Sequence, residues 1–247
     1  LLTVSFGDDS QTTRNFSWYT KYSVTGSDIE IIPYTDNPVF TGETSVPEGV
    51  LLDIQTSLEK RSYPGVDLGI AGFMTVTLKL NRHTVKVSGL KAGEKYLYRV
   101  GDAQKGWWSD VGLISTADGS DELTFIDITD SQSQNAKQYE NCANVLSGAF
   151  DLYPDADFVL HCGDMVDVGD NLNQWKYFLN DSSDTLMSTA LMPVSGNHEA
   201  KGEYALDRYF TLPSSAEQDT ETGYYYSFDY NNAHFIMLNT NELDESE

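Results

Sequence analysis

Residues 158–167 have the sequence FVLHCGDMVD, in which an apolar segment typical of a buried strand leads into a Gly-Asp turn. Two further segments have the same form, residues 123–132 (LTFIDITDSQ) and residues 191–199 (LMPVSGNHE). In an open parallel sheet, the loops at the carboxyl ends of the strands meet at one edge and bind ligands there. We therefore expect four polar residues to lie close together in space: Asp130, Asp164, Asn197 and His198.

The spacing of apolar residues after residue 121 predicts alternating strands and helices. Strands are expected at residues 123–128, 158–160 and 191–194, and helices over about twenty residues before Phe158, at residues 173–179 and at residues 203–209. A hairpin is expected from two apolar segments, residues 224–230 and 233–238, on either side of Asn231-Asn232. This alternation is typical of an α/β layer with parallel strands.

The first half of the chain shows a different pattern, with short apolar segments separated by turn residues. Residues 96–100, YLYRV, alternate with the period of two expected of a half-buried strand. Seven or eight such segments, among them residues 73–80 and 84–87, predict a β-sandwich, and residues 88–96 resemble the tyrosine corner of fibronectin-type sandwiches. A polar segment at residues 115–121 marks the expected boundary. We therefore predict a β-sandwich domain (residues 1–118) followed by an α/β domain (residues 122–247).

The polar residues at the predicted edge suit metal chemistry. A carboxylate can bridge two divalent or trivalent cations about 4 Å apart, and an amide oxygen can ligate one of them. Glycines precede both Asp164 and Asn197 and allow a sharp turn with a close backbone approach. His198 is placed to donate a proton to a leaving oxygen. A single Asp at a strand end is more often a cap or turn residue, so the prediction depends on all three segments occurring in order.

These three segments resemble the motifs of the calcineurin-like metallophosphoesterase superfamily, and the sandwich before them resembles the N-terminal domain of purple acid phosphatases. The resemblance implies that Asp130 holds a first metal ion and that Asp164 bridges two. It implies that Asn197 binds the second metal ion and the phosphate, and that His198 is the proton donor. The implied cofactors are two divalent or trivalent ions (Fe, Zn or Mn), and the implied reaction is attack of a metal-bound hydroxide on a phosphoester.

Two departures from the family pattern affect the expected metal centre. Gln132 stands where many members have a histidine, and it can ligate through its oxygen. Asp167 stands where purple acid phosphatases have a tyrosine, so a coloured ferric–tyrosinate centre is not expected. We include both Gln132 and Asp167 among the predicted metal ligands. Val168 and Gly169 follow in place of the Asp-Arg-Gly sequence of other members, so a phosphate-contacting arginine is missing there.

Histidines are scarce, and the Gly-His-X-His sequence of the family does not occur in this chain. His83 lies in the predicted sandwich, His161 lies inside a strand, and His234 is expected to be a core or edge residue. We therefore expect the chain to be the front portion of a larger protein, in which a C-terminal fragment completes the domain. With oxygen ligands alone, we expect weak or partial metal occupancy, since zinc and iron bind more tightly when imidazole is present.

The charge of the chain excludes one class of function. Residues 1–118 carry 14 acids and 11 bases, whereas residues 119–247 carry 24 acids and 4 bases, giving a net charge of −23 overall. Binding to nucleic acid by phosphate neutralisation requires the opposite sign, so no nucleic-acid partner is expected. No segment is apolar enough to span a membrane. The two cysteines are expected as free thiols, with a single bridge as the alternative in an exported protein.

Two functions of different classes are compatible with these observations. The first is a phosphoesterase acting on phosphomonoesters or diesters, with a small-molecule phosphoester or a phosphoprotein as substrate. The alternative is a non-catalytic extracellular binding or structural module whose phosphoesterase half is degenerate or truncated. Stray carboxylates would repel one another at a site without metal, which favours the enzyme. An extracellular or cell-surface location is expected by analogy with exported proteins that place a sandwich before a phosphoesterase domain.

Overall fold

The computed structural model describes residues 1–67, 73–202, 205–215, 217–220 and 223–241. Its first half contains eight strands: β1 (Leu2–Phe6), β2 (Arg14–Lys21), β3 (Asp28–Pro33), β4 (Leu51–Asp67), β5 (Phe73–Ser88), β6 (Lys95–Asp102), β7 (Trp107–Trp108) and β8 (Gly112–Ser115). They form two antiparallel sheets, one in the order β1-β2-β5-β4 and one in the order β3-β6-β7, with β8 also paired to β6. The predicted β-sandwich is confirmed.

Apolar side chains from both sheets form the core of the sandwich. Val85 and Phe16 come from the first sheet, and Ile29, Tyr98 and Val100 come from the second. All of these side chains are buried because alternate residues of each strand point inward.

The expected tyrosine corner is present, since the Lys91 amide donates a hydrogen bond of 3.0 Å to the hydroxyl of Tyr96. One prediction for this half was wrong. Strands expected at residues 73–80 and 84–87 form the single strand β5, in which Asn81 donates to the carbonyls of Tyr22 and Val24. Polar side chains that find partners do not interrupt a strand.

The second half contains a parallel sheet with helices between its strands. In chain order its elements are β9 (Phe125–Ile128), α1 (Ala136–Leu152), β10 (Phe158–His161), α2 (Leu172–Asp181), α3 (Ser183–Leu186), β11 (Ala190–Pro193), α4 (Ala205–Tyr209), β12 (Glu217–Thr220), β13 (Gly223–Tyr230) and β14 (Ala233–Met237). Strands β11, β10 and β9 pair in that order and in parallel. The predicted α/β layer and the hairpin at Asn231-Asn232 are confirmed, whereas β12 was not anticipated. Residues 203–204 of the helix expected at 203–209 lie outside the described residues.

The direction of side chains along β10 explains how the layers pack. Phe158 contacts the rings of Phe228 and Phe235 in the antiparallel sheet β12-β13-β14. His161 is three residues further along and therefore points to the opposite face, where it contacts the edge of Phe178 in α2. The parallel sheet thus lies between a helical layer and a second sheet.

The two halves of the chain share one core. Phe6 of β1 is completely buried against Phe158, Phe228 and Tyr230 of the second half. Backbone carbonyls after α4 also accept hydrogen bonds from the sandwich, including one of 2.6 Å from Ser5 to Thr211. These contacts fix the position of the sandwich against the second half. The domain boundary expected at residues 115–121 stays a prediction.

Candidate metal centre

Three loops follow the strands of the parallel sheet and meet at one edge, as expected from their positions in the sequence. The Asp130 amide donates to the carbonyl of Gly163 at 3.1 Å, and the Gln132 amide donates to the carbonyl of Asp164 at 2.9 Å. These two hydrogen bonds join the first loop to the second. The backbone geometry therefore brings together segments that are more than thirty residues apart in sequence.

Two glycines allow the second and third loops to cross. Gly163 has a φ of 99°, in the region that favours glycine, and a Cβ placed on it would lie 2.7 Å from the Cα of Gly196. A Cβ on Gly196 would overlap the backbone nitrogen of Asp164. The close backbone approach predicted from these glycines is therefore present.

Asp164 occupies the centre of the predicted site. It is nearly buried, and its Oδ1 accepts a hydrogen bond of 3.0 Å from the amide of His198. Its Oδ2 lies 4.0 Å from Nε2 of His198 and 3.4 Å from the side-chain amide of Gln132. The backbone of Asp164 has a φ of 55°, an uncommon conformation for a residue with a Cβ, which costs about 1–3 kcal/mol and is concentrated at functional sites.

Asp130 has the same unusual backbone conformation, with a φ of 55°. Its side chain is exposed and its Oδ2 accepts a hydrogen bond of 2.7 Å from the hydroxyl of Thr129. Gln132 is best satisfied with its amide nitrogen donating to the carbonyls of Asp164 at 2.8 Å and Asp130 at 3.2 Å. In that orientation its oxygen faces the carboxylate of Asp164, as two ligands of one cation would.

The imidazole of His198 is held by the second loop. Its Nδ1 lies 2.6 Å from the carbonyl oxygen of Asp167 and 3.4 Å from Oδ1 of the same residue. A carbonyl only accepts, so Nδ1 is the protonated nitrogen and Nε2 is left to face the site. Asp167 thus contacts His198, and its assignment as a metal ligand stays a prediction.

Asn197 lies between Gly196 and His198 on the third loop, and its side chain is exposed. Within the described part of the chain, the side chains of Asn197 and Asp130 form no hydrogen bond with another predicted ligand. The structure therefore brings Asp164, Gln132 and His198 into direct contact. The side chains of Asp130 and Asn197 are exposed to solvent at the same edge.

Two residues of this region were not identified from the sequence. Glu199 is completely buried, and its carboxylate accepts hydrogen bonds from backbone amides of the second and third loops. Burial raises the pKa of Glu199, and the hydrogen bonds from these amides oppose that shift. His161 is also completely buried, and its Nε2 lies 2.9 Å from the hydroxyl of Ser131 in the first loop. Burial lowers the pKa of His161 to about 3, so the imidazole is neutral. The clue for Glu199 was its place in the Gly-Asn-His-Glu sequence.

The remaining histidines lie in other elements, His83 in β5 and His234 in β14. His83 is stacked on Trp18 inside the sandwich, as predicted. His234 is exposed and lies 2.5 Å from Oδ1 of Asp229 on the neighbouring strand. Over the described residues, no three His, Cys, Asp or Glu side chains converge closely enough to hold a metal ion.

The residues present nevertheless fit part of a cation site. Two carboxylates, Asp130 and Asp164, and two amides, Gln132 and Asn197, lie on loops that meet, and these oxygen donors suit hard cations. A cavity of about 500 Å³ lies beside Asp130 and Gln132. A second cavity of about 550 Å³ lies near Asp157 and Ala190 at the opposite ends of the strands, and none of the predicted ligands lines it.

Two further predictions concern the cysteines and the possibility of a membrane-spanning segment. Cys142 and Cys162 are free thiols, as expected. None of the helices in the described residues has the length and apolar character needed to cross a membrane.

Comparison with known proteins agrees with this architecture. The sequence profile of the calcineurin-like phosphoesterase family matches residues 109–244, and that of the purple acid phosphatase N-terminal domain matches residues 2–116. Since the first match covers more than half of the chain, this protein belongs to the calcineurin-like phosphoesterase family. Its second half is therefore of the metallophosphoesterase class.

A solved structure shows the same fold. It is that of purple acid phosphatase PPD1 isolated from seeds of yellow lupin (Lupinus luteus), with a TM-score of 0.65 and 17% sequence identity. The match covers 95% of this chain and 43% of the lupin chain, so this chain spans less than half the length of that protein. Among curated proteins, none matches this chain.

Proposed function

We propose that this chain supplies the oxygen-donor part of a dinuclear metal centre that hydrolyses phosphomonoesters or phosphodiesters. The observation that carries the proposal is the hydrogen-bonded contact of the three loops around Asp164. Metal ions bound there would lower the pKa of a water molecule and offset the charge that develops on phosphate. The substrates proposed are small-molecule phosphoesters or phosphoproteins, and the ions are Fe, Zn or Mn.

The family resemblance assigns each polar side chain a proposed role. Asp164, which lies between the first and third loops, would hold both ions. Asp130 and Gln132 would hold one ion from the first loop, and Asn197 would hold the other and contact the phosphate. Asp167 is retained as a further ligand at the rim.

His198 is proposed as the proton donor to the leaving oxygen. Because Nδ1 of His198 is hydrogen-bonded to the carbonyl of Asp167, Nε2 is the atom that would face the substrate. In the imidazolium form, Nε2 carries the proton to be donated. The backbone amide of His198 donates a hydrogen bond to the carboxylate of Asp164. His198 therefore orients the proposed bridging carboxylate with its amide and provides the general acid with its imidazole.

A further polypeptide segment is proposed to complete the ligand set with nitrogen donors. The support is the oxygen-only set described above and three exposed apolar side chains, Val145 and Leu152 of α1 and Ile236 of β14. Strands β9 and β14 are each at the end of their sheet in the described structure. An extracellular or cell-surface location is proposed by analogy only.

The test is hydrolysis of chromogenic phosphomonoesters and diesters by the natural gene product that contains this chain. His198→Ala should lower kcat by about 10²–10⁴-fold, the usual contribution of a general acid, and Asp164→Asn should abolish turnover. Asp151→Asn, which removes an exposed carboxylate from α1, is the matched control and should keep full activity. Wild-type turnover by the first two variants, with the fold retained, would refute the roles. A protein without activity or metal would instead favour a non-catalytic module.

A further inference from the structure

We infer that Glu199 is a positioning residue that holds the second and third loops in register for metal binding, an inference that rests on the proposed function. Its Oε2 accepts hydrogen bonds from the amides of Asp164 at 2.8 Å and Gly196 at 3.0 Å. Its Oε1 accepts a third, of 3.0 Å, from the amide of Val166. The side chain is completely buried, so solvent does not contribute to holding these amides.

The backbone at Asp164 needs such support. With a φ of 55°, this residue is in a conformation that persists only where its surroundings determine it from several sides. The amide of Asp164 is fixed by Glu199, and its carbonyl is fixed by the amide of Gln132 at 2.9 Å. If the hydrogen bond from the Asp164 amide to Glu199 is lost, the peptide is no longer held in the orientation that points the Asp164 carboxylate into the site.

A carboxylate suits this position better than any neutral side chain. Three N–H groups converge on it, and both oxygens of a carboxylate accept. A glutamine offers one accepting oxygen and an NH₂ group, and the NH₂ group would face at least one of the three amides. The loops would then separate to avoid two opposed donors, because a buried polar group without a partner is costly.

The effect on metal binding follows from where the three amides lie. Asp164 and Gly196 flank the crossing of the loops, and the next residues, Asn197 and His198, belong to the proposed site. The distance between the carboxylate of Asp164 and Asn197 therefore depends on Glu199, whose buried side chain contacts both loops. Removing a group that orients metal ligands typically weakens metal affinity by about 10–100-fold.

The experiment measures Mn²⁺ binding by calorimetry on the natural gene product that contains this chain and on its Glu199→Gln variant, well below the melting temperature. We expect at least a tenfold weaker Kd for the variant, with an unchanged circular dichroism spectrum. The control is Glu30→Gln, because Glu30 is also completely buried and accepts backbone amides of Thr41 and Gly42, but lies in the sandwich. It should lower the melting temperature and leave the Mn²⁺ affinity within twofold.

Amide hydrogen exchange gives a second readout that does not need metal. In Glu199→Gln, the amides of Asp164, Val166 and Gly196 should lose protection at least tenfold, with the protection of β10 unchanged. If Glu199→Gln does not fold, Glu199→Asp, which keeps the charge and shortens the reach, replaces it with the same expectations. Unchanged Mn²⁺ affinity or unchanged protection of the three amides overturns the inference. Failure of the wild-type gene product to bind Mn²⁺ counts against the metal site itself, and exchange then decides whether Glu199 orders the loops.

Discussion

Gly163 and Gly196 lie against each other where two of the site loops cross, and a Cβ on Gly163 would lie 2.7 Å from the Cα of Gly196. The crossing is therefore possible only without side chains at these two positions. It places the amide of His198 on the carboxylate of Asp164, and so it connects a backbone requirement directly with the proposed chemistry.

Gly196→Ala should disturb this crossing, because the added Cβ overlaps the backbone nitrogen of Asp164, which cannot rotate away. We expect a loss of about 1–3 kcal/mol in the free energy of unfolding, measured by urea denaturation. Gly148→Ala is the matched control. Gly148 lies in α1 with no atom within 4 Å of the added Cβ, so this change should stabilise the protein by up to about 1 kcal/mol. Equal stability of the two variants would contradict the crowding.

Phe6→Ala should destabilise both halves of the chain together. Phe6 is completely buried between the sandwich and the aromatic cluster of the second half, so its removal leaves a cavity in a shared core. We expect a loss of about 3–5 kcal/mol with a single unfolding transition, followed by near-UV and far-UV circular dichroism. Val39→Ala, at a position that is 81% exposed, should change stability by less than about 0.5 kcal/mol. Two separate transitions in the wild type would show that the core is not shared.

Arg61→Met tests the polar part of the same interface. Arg61 pairs with Glu59 at 2.9 Å, donates to the hydroxyls of Tyr19 and Tyr209, and lies over both rings. Its loss removes the cation that pairs with Glu59 in a nearly buried setting, and we expect about 3 kcal/mol of destabilisation in thermal and urea unfolding. Lys60→Met, at the exposed neighbouring position, should have little effect. Similar stabilities of the two variants would count against the network.

The stability of the sandwich should depend on pH through His83. Burial lowers the pKa of His83 to about 4 from its ordinary value of 6.5. Between pH 6.5 and pH 4 the unfolded chain therefore binds a proton that the folded chain does not, and stability falls as the pH is lowered, by about 1.4 kcal/mol per pH unit for one proton.

His83→Gln should remove this one-proton contribution from the slope, measured by urea denaturation at pH 4.5, 5.5, 6.5 and about 7.5. His161 is buried as well and keeps its own contribution in both proteins. Gln104→Asn, which changes an exposed side chain without a titratable group, serves as the control and should leave the slope unchanged. A slope that is the same in His83→Gln as in the wild type would contradict the assignment.

Periodicity in the sequence was sufficient for the sandwich, the parallel strands β9 to β11 and the helices α1 and α2 between them. Period-two and helical patterns are local, so each segment carries them without reference to the rest of the chain. The extent of β5 could not be found in this way, because the polar residues at 81–83 are satisfied by partners distant in sequence. Trp18 and Thr20, which contact His83, illustrate this.

For the site, the sequence by itself determined which residues end the three strands and that glycines adjoin Asp164 and Asn197. Only the tertiary structure decided how these residues are held: the three amides on Glu199, the carbonyl of Asp167 on His198, and the hydroxyl of Ser131 on the buried His161. The physical reason is that strand ends are set by short-range preferences. Contacts between loops depend instead on the register of three strands and on the direction in which each side chain points, which become defined only when the sheet has formed.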